Sequence, residues 1–162
     1  MTFVTVGNAT DGFRRLLDAA ERLAGDGVLP APLVFQSGHN PQFASRHGAV
    51  HPFMPMEQFE EHVRRARLVI SHAGAGVVLH ALAAGKVPVV MPRRARYGEH
   101  VDDHQAEFTA CLARAGRVIA AWEPADLPDA VRTALAAGER RALSPADGLV
   151  RVVRDCLEEL LA

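Results

Sequence analysis

The sequence predicts an α/β domain with a Rossmann-like parallel sheet and helices on both of its faces. Short apolar runs rich in β-branched residues alternate along the chain with segments whose apolar residues recur at helical spacing. These runs are nearly continuous in their apolar character, which is typical of strands buried on both faces of a parallel sheet. Several runs end at glycine or proline, where a parallel strand has to turn into its crossover.

The first half of the chain supplies three predicted strands and two predicted helices. The strands are predicted at residues 3–6, 33–36 and 49–54. Apolar residues at the i, i+3, i+4, i+7 spacing predict a helix over residues 13–24, with Asp11 as its cap and Gly25 at its end. A second helix is predicted over residues 56–66.

The second half continues the same alternation and ends in two helices. Strands are predicted at residues 68–71, 87–91 and 118–121, and helices at residues 77–84, 101–115, 125–136 and 149–161. The last helix has an apolar stripe formed by Leu149, Val152, Val153, Cys156, Leu157 and Leu160. Two interpretations of this stripe remain open, namely packing against the domain itself and docking onto a partner subunit.

Length and composition indicate one cytoplasmic globular domain spanning residues 1–162. Eighteen basic residues balance 19 acidic ones, so the overall charge gives no reason to expect nucleic acid as a partner. The first residues lack the basic and apolar segments of a signal peptide, and no apolar run approaches the roughly 20 residues of a membrane span. Cys111 and Cys156 have no metal-site spacing and are expected to be reduced thiols in or near the core.

The chemistry is expected in the loops that follow the strands. In open parallel sheets, ligands bind beyond the carboxyl ends of the strands. Applied to the predicted strands, this rule selects the loops at residues 7–11, 53–56, 72–76 and 92–103.

The segment Ser71-His72-Ala73-Gly74-Ala75-Gly76 leaves a strand and opens a helix. Small residues let backbone amides approach an anion there, and the helix start adds a positive dipole end, so a diphosphate is the natural ligand. His72 is a candidate donor to a phosphate oxygen. Glycines in such a turn also serve packing alone, and that alternative stays open. His80 follows Gly76 by four residues and therefore lies on the same helix face.

A second loop, residues 92–105, concentrates three arginines, two histidines, three carboxylates and a glutamine. Such groups bind sugar hydroxyls and phosphates. The spacing of His100, Asp103 and His104 is also compatible with a metal site, but no other loop offers a clear further ligand, so neither a metal nor another cofactor is expected.

Three motifs together resemble the C-terminal domain of glycosyltransferase family 28. They are Phe3-Val4-Thr5-Val6-Gly7, Ile70-Ser71-His72-Ala73-Gly74-Ala75-Gly76 and Gly98-Glu99-His100-Val101-Asp102-Asp103-His104-Gln105. Within this family the chain is similar to stand-alone subunits of bacterial exopolysaccharide and capsule synthesis, and to the catalytic subunit of the dolichol-pathway N-acetylglucosaminyltransferase. The resemblance implies the donor-binding half of a GT-B enzyme.

The resemblance also implies inverting, metal-independent transfer from a UDP-sugar to a lipid-linked saccharide acceptor. The acceptor would be held by a separate membrane-associated subunit, which would keep the chain at the periphery of the inner membrane. His100 and Glu99 are the candidate general bases. The residues expected at the UDP-sugar are Gly7, Asn8, Phe53, Met54, Ser71, His72, Ala73, Gly74, Ala75, Gly76, His80, Arg93, Asp103, His104 and Gln105.

The sequence departs from the family pattern at one position of the expected site. Related transferases often carry a glutamate that binds the ribose hydroxyls on the helix after the glycine loop, and here that position is His80. An imidazole offers a ribose fewer hydrogen bonds than a carboxylate does. A non-catalytic UDP-sugar-binding or regulatory module is therefore the alternative function. A dinucleotide-dependent enzyme is disfavoured because Gly7-Asn8-Ala9-Thr10 is not the GxGxxG fingerprint.

Overall fold

A computed structural model describes residues 1–137 and 147–161 and, within the last helix, the side chains of residues 151–159. In this part of the chain six strands alternate with six α-helices. The strands are β1 (Thr2–Thr5), β2 (Leu33–Gln36), β3 (Gly48–His51), β4 (Leu68–His72), β5 (Val89–Met91) and β6 (Ile119–Ala120). The helices are α1 (Arg14–Gly25), α2 (Met56–Arg65), α3 (Ala75–Ala83), α4 (His104–Arg114), α5 (Leu127–Ala137) and α6 (Asp147–Leu161).

All six strands are parallel and stand in the order β3-β2-β1-β4-β5-β6. Val4 of β1 lies between Phe35 of β2 and Ile70 of β4 in the pairing register. The chain leaves β1 in one direction to build β2 and β3, and it later returns to build β4 to β6 on the other side. The boundary between β1 and β4 is thus the topological switch point, where the loops diverge and leave a crevice. The predicted α/β fold class is confirmed.

Alternate side chains of the strands bury against helices on opposite faces. On one face Val4, Ile70 and Met91 pack with α1 and α5. On the other face Phe3 and Val69 pack with α2 and α3, and a neighbouring cluster joins β5 to α3, α4 and α6. Because both faces are covered, the strands are apolar along their whole length, as the sequence indicates.

The start of α1 differs from the prediction. Phe13 is at the N-cap position, no side chain makes a capping hydrogen bond, and Asp11 is not the cap; the Phe13 N–H donates instead to the Oδ1 of Asn40, 27 residues away, at 2.9 Å. Asn40 also donates to the Ser37 carbonyl at 2.7 Å and therefore joins the loop after β2 to the first turn of α1. A contact between residues so far apart in the chain cannot be predicted from the local sequence pattern.

The middle of the apolar stripe of α6 packs onto its own domain, whereas Leu157 of the stripe is 37% exposed. Val153 and Cys156 are each 3% exposed and lie in the same cluster as Val78 of α3 and Phe108 of α4. Packing against the core, one of the two open interpretations, therefore accounts for the middle of the stripe. The predicted contributions of Leu149 and Leu160 concern side chains outside the described residues.

The expectation of two reduced thiols is wrong, because Cys111 of α4 and Cys156 of α6 form a disulfide. Their Cα atoms are 5.9 Å apart, and 45 positions separate them in sequence. Because the two cysteines are so far apart in the chain, the sequence pattern did not indicate their pairing; the packing of α4 against α6 brings them together. None of the helices described here combines the length and the apolar composition that crossing a bilayer requires.

Candidate functional site

A cavity of about 260 Å³ opens at the switch point of the sheet. The loops after β1 and β4 form one side, the start of α3 forms its floor, and the segment leading into α2 closes the other side. Its lining residues are Gly7, Asn8, Gln36, Met54, Met56, Phe59, His72, Gly74, Gly76, Val77 and His80. Six of these were predicted to bind the ligand from the loops and strand ends, namely Gly7, Asn8, Met54, His72, Gly74 and Gly76, and His80 was predicted from its helix face.

The imidazole of His72 lies between two glycines, and both glycines are required by it. A Cβ at Gly7 would lie 2.4 Å from the His72 Cε1, and a Cβ at Gly74 would lie 2.3 Å from the His72 Nε2. Gly7 also has a φ of +71°, which a side chain would strain. The absence of a side chain at each glycine thus leaves room for the His72 ring at the carboxyl edge of the sheet.

Burial makes His72 a neutral imidazole at physiological pH. Its pKa is lowered from 6.5 to about 4, chiefly by burial and further by the Arg93 guanidinium, while a contact with the Thr5 backbone acts in the opposite direction. Its Nδ1 is buried and makes no hydrogen bond of ordinary geometry to any described residue. A neutral ring can donate one N–H to a ligand, and a nearby anion would raise its pKa.

The start of α3 provides the second anion-binding element. The Val78 N–H is the first in this segment to donate within the helix, to the Gly74 carbonyl at 3.0 Å, so the amides of residues 75–77 have no helical acceptor. A Cβ at Gly76 would meet no atom within 4 Å, which means that this face of the helix borders open space. Free amides, a positive helix end and the adjacent His72 together favour a phosphate group here.

A hydrogen-bond chain fixes the loop that faces α3. The Gly7 N–H donates to the Thr5 Oγ1 at 3.1 Å, and that hydroxyl donates to the Gln36 Oε1 at 2.6 Å. The Gln36 Nε2 then donates to the Asn8 Oδ1 at 3.2 Å. Sequence reasoning missed Gln36, although a polar residue ending an apolar strand at the ligand edge of the sheet was the available signal.

The part of the cavity lining away from the loops after β1 and β4 is apolar apart from His80. Met54, Met56 and Phe59 line it, and the His80 ring contacts Phe59 edge-on at 5.7 Å between ring centroids. The His80 Nδ1 lies 3.6 Å from the Glu60 Oε1, so α2 supplies a carboxylate beside the imidazole. Phe53 does not line the cavity; it is 48% exposed, and its ring packs edge-on against a neighbouring histidine.

Arg93 is fully buried and holds backbone atoms rather than facing the cavity. Its guanidinium donates to the carbonyls of Val6 at 2.9 Å, Asp11 at 2.8 Å and Glu99 at 3.0 Å. These bonds tie the loop after β1 to the loop after β5. Arg93 therefore contributes positive charge behind the site, as its effect on the pKa of His72 shows, and it is not among the residues that line the cavity.

Glu99 is likewise engaged within the protein. Its carboxylate accepts from the Arg15 guanidinium at 2.8 and 2.9 Å and from the Arg94 N–H at 3.0 Å. The pair is almost fully buried, with exposed side-chain fractions of 13% for Arg15 and 6% for Glu99. The structure thus places Glu99 where it shapes the loop, away from the cavity lining.

The other predicted residues of this region support the loop backbone. The Gln105 Oε1 accepts from the Arg93 N–H at 3.1 Å, and the Asp103 Oδ1 accepts from the Ala95 N–H at 2.9 Å. In the glycine loop, Ser71 and Ala73 are buried beneath the surface, and Ala75 is the first residue of α3, where its amide has no acceptor within the helix.

His100 lies near the cavity in a cluster with Asp102 and His104. It is close enough to His72 for its charge to lower the pKa of that residue. The His100 Nδ1 is 3.3 Å from the Asp102 Oδ1, and the same oxygen lies 2.5 Å from the His104 Nδ1. Hydrogen bonds from the His104 backbone and then its ring lower the pKa of Asp102. The carboxylate between the two histidines is thus Asp102, whereas sequence spacing suggested Asp103.

The fold matches those of solved glycosyltransferases of the GT-B type. CalG4, the calicheamicin glycosyltransferase, superposes with a TM-score of 0.56 at 19% identity over 99% of this chain and 37% of its own. SnogD from Streptomyces nogalater gives 0.54 at 22% identity over 97% and 39%, and MurG from Acinetobacter baumannii gives 0.55 at 20% identity over 97% and 49%. The chain thus spans less than half the length of each of these structures.

Among curated proteins no sequence shows significant similarity to the chain. The sequence profile of the glycosyltransferase family 28 C-terminal domain, in contrast, matches residues 1–157. That match covers nearly the whole chain and includes both the glycine loop and the loop after β5. The chain therefore belongs to glycosyltransferase family 28, C-terminal domain.

Proposed function

We propose that this chain is the donor-binding part of an inverting glycosyltransferase that uses a UDP-sugar. The observation that carries the proposal is the convergence of the free α3 amides and the neutral His72 in the cavity at the switch point. This combination offers several N–H donors and a positive helix end to a diphosphate. The space around Gly76 lets the phosphates approach the backbone.

The remaining lining residues suit the other parts of such a ligand. With the diphosphate at α3, the apolar end formed by Met54, Met56 and Phe59 would border the uracil. His80 would then reach a ribose hydroxyl, its ring oriented by Glu60. The Asn8 side chain, held by Gln36, would face the donor sugar or the diphosphate.

The transfer would be a direct displacement at the anomeric carbon. The acceptor oxygen forms a bond to that carbon while the bond from the carbon to the UDP oxygen breaks, which inverts its configuration. The α3 amides and the helix dipole stabilise the charge that develops on the departing UDP. His100 is the proposed base: its Nδ1 lies 3.3 Å from the Asp102 Oδ1, and in the tautomer that carries the proton on Nδ1 the Nε2 takes the acceptor's proton. Glu99, engaged by Arg15, would position this loop.

The acceptor side of the reaction requires a further structural unit. The solved enzymes with this fold are at least about twice as long as the chain. We infer that a membrane-associated subunit supplies the second half, presents a lipid-linked saccharide and holds the chain at the cytoplasmic side of the inner membrane, in exopolysaccharide or capsule synthesis.

Calorimetric titration of the purified chain with UDP, UDP-sugars and NAD, without added metal, tests the donor site. We expect UDP and one or more UDP-sugars to bind and NAD not to bind. Gly76→Ala should weaken UDP binding at least tenfold, because the new methyl group enters the phosphate space while clashing with no protein atom. The surface variant His47→Gln is the matched control and should bind UDP as the wild type does. Absence of UDP binding by both the isolated chain and its assembled complex would contradict the proposal.

Turnover separates catalysis from the alternative of a non-catalytic binding module. The chain assembled with its partner should transfer sugar from the UDP-sugar it binds best, and His100→Gln should reduce kcat by about 10² to 10⁴, the usual contribution of a general base. UDP binding by His100→Gln should persist, since His100 is not among the lining residues. Binding without turnover by the wild-type complex would favour the regulatory module, for which the histidine at position 80 is the supporting observation.

A further inference from the structure

We propose that His100, Asp102 and His104 form a binding site for a divalent transition-metal ion, with Zn²⁺ as the best match. The three side chains lie at the carboxyl edge of the sheet, where the loop after β5 enters α4. Within residues 1–137 and the described part of α6, no other group of three histidine, cysteine, aspartate or glutamate residues meets the same proximity. The site would be distinct from the cavity that accepts the nucleotide.

The potential ligand atoms already converge. One atom from each residue lies within 4.8 Å of the other two, and both Nδ1 atoms face the Asp102 Oδ1. In a tetrahedral zinc site with bonds of about 2.1 Å, ligand atoms are about 3.4 Å apart. His104 and Asp102 are at least half exposed, so small side-chain rotations can open the 2.5 Å pair to that distance without moving the backbone.

Backbone contacts hold the ligand set in place. The Asp102 Oδ1 accepts from the His104 N–H at 3.1 Å, so the carboxylate is fixed over the first turn of α4. The His100 and His104 rings stand edge-to-face with centroids 4.6 Å apart. Asp103 is not part of the set, because the proximity that joins the three residues does not extend to it, and its Oδ1 accepts from the Ala95 N–H at 2.9 Å.

The donor types select the class of metal. Two imidazole nitrogens and one carboxylate oxygen suit Zn²⁺, Co²⁺ or another transition metal, whereas Mg²⁺ and Ca²⁺ prefer sites made of oxygen. Because the cluster is exposed on one side, water can complete the coordination shell. Zinc sites that exchange their fourth ligand have the same arrangement, with three ligands from the protein and one coordination position open to water.

Metal binding would affect the proposed transfer. With the His100 Nδ1 on the metal, the proton of the ring stays on Nε2, and His100 cannot accept a proton from the acceptor. Zn²⁺ would therefore inhibit transfer by occupying the base. This consequence depends on the proposed function, whereas the binding of the metal does not.

Titration of the full metal-free chain with Co²⁺ tests the site by its visible absorption, and competition with Zn²⁺ gives the zinc affinity. We expect one equivalent of Co²⁺ to bind, Zn²⁺ to displace it and a large excess of Mg²⁺ to leave it in place. Asp102→Asn and His104→Gln should each weaken binding at least tenfold, since even residues that only orient metal ligands contribute 10- to 100-fold.

His47→Gln is the matched control, because His47 is also an exposed histidine beside a carboxylate, 3.9 Å from Glu21, but has no second histidine. Its Co²⁺ affinity should equal that of the wild type. Equal affinity in all four proteins would overturn the proposal, as would the lack of a Co²⁺ spectrum in the wild type. A circular dichroism spectrum of each variant shows whether it is folded, so that weaker Co²⁺ binding is not mistaken for unfolding. Since the readout is the metal's own spectrum, failure of UDP binding or transfer leaves this result unaffected.

Discussion

Acidification should destabilise the folded protein through His72. The unfolded chain protonates this residue with an ordinary pKa of 6.5, whereas the folded protein does so only at about 4. Between these values the unfolded state binds more protons, so the free energy of unfolding falls as the pH falls. The stability associated with neutral His72 is complete above pH 6.5 and is fully lost below pH 4.

The size of the effect follows from the shift in pKa. A difference of 2.5 pKa units is worth about 3.4 kcal/mol in total at 1.36 kcal/mol per unit. Only part of it appears above pH 5. Between pH 7.5 and pH 5.0 the linkage relation gives a loss of about 2 kcal/mol from this one residue.

The assay is urea unfolding at both pH values, without reductant, for the wild type and for His72→Gln. Glutamine has a similar size and does not titrate, so other groups, including His62 with its own lowered pKa, contribute to both proteins and cancel. The wild type should lose about 2 kcal/mol more than the variant between pH 7.5 and pH 5.0. Equal losses in the two proteins would refute the reasoning and mean that the His72 ring is either solvated or able to relax when protonated.

Three further changes test how the site is built. Gly74→Ala should lower the free energy of unfolding by about 1–3 kcal/mol, because its methyl group overlaps the His72 ring. Gly76→Ala, two residues on, should be neutral or stabilising by up to about 1 kcal/mol. Equal effects of the two substitutions in urea unfolding would contradict the placement of the His72 ring between Gly7 and Gly74. Glu99→Gln should cost about 1.5–3 kcal/mol, because the nearly buried Arg15 loses its closer carboxylate and keeps only the longer ion pair with Glu123 at 3.4 Å. Thermal unfolding at pH 7.5 checks this, and an unchanged midpoint would mean that Glu99 has a purely surface role. Reduction of Cys111–Cys156 should cost up to about 4 kcal/mol for a separation of 45 residues, and a count of two reactive thiols in the unfolded, non-reduced protein would contradict the pairing.

The disulfide bears on the proposed cellular location. Disulfides are rare in the reducing cytosol, which is where the proposed function places this chain. Cys156 is buried, which protects it from reductants. Alkylation under denaturing conditions as the protein is isolated, followed by measurement of its mass, gives its state in the cell, because reduced cysteines take up the alkyl group and disulfide-bonded cysteines do not.

Local patterns predicted most of the fold and seven of the eleven residues that line the cavity. The strands and helices fall within a few residues of their predicted bounds, because buried parallel strands and amphipathic helices are encoded by nearby residues. The edge of the sheet that carries the site followed from the carboxyl-end rule. The glycine loop and Met54 were found in this way, whereas Gln36, Met56 and Asp102 were not.

The sequence by itself determined the alternation of strands and helices, the family and the loops in which chemistry is to be sought, since each depends on residues close together in the chain. Only the tertiary structure decided which polar groups are free for a ligand. Arg93 and Glu99 look like ligand contacts in the sequence, yet their partners Val6 and Arg15 come from more than 80 residues away. Burial removes water from such groups, so each must find a partner within the protein, and the partner's position is set by the packing of the whole sheet.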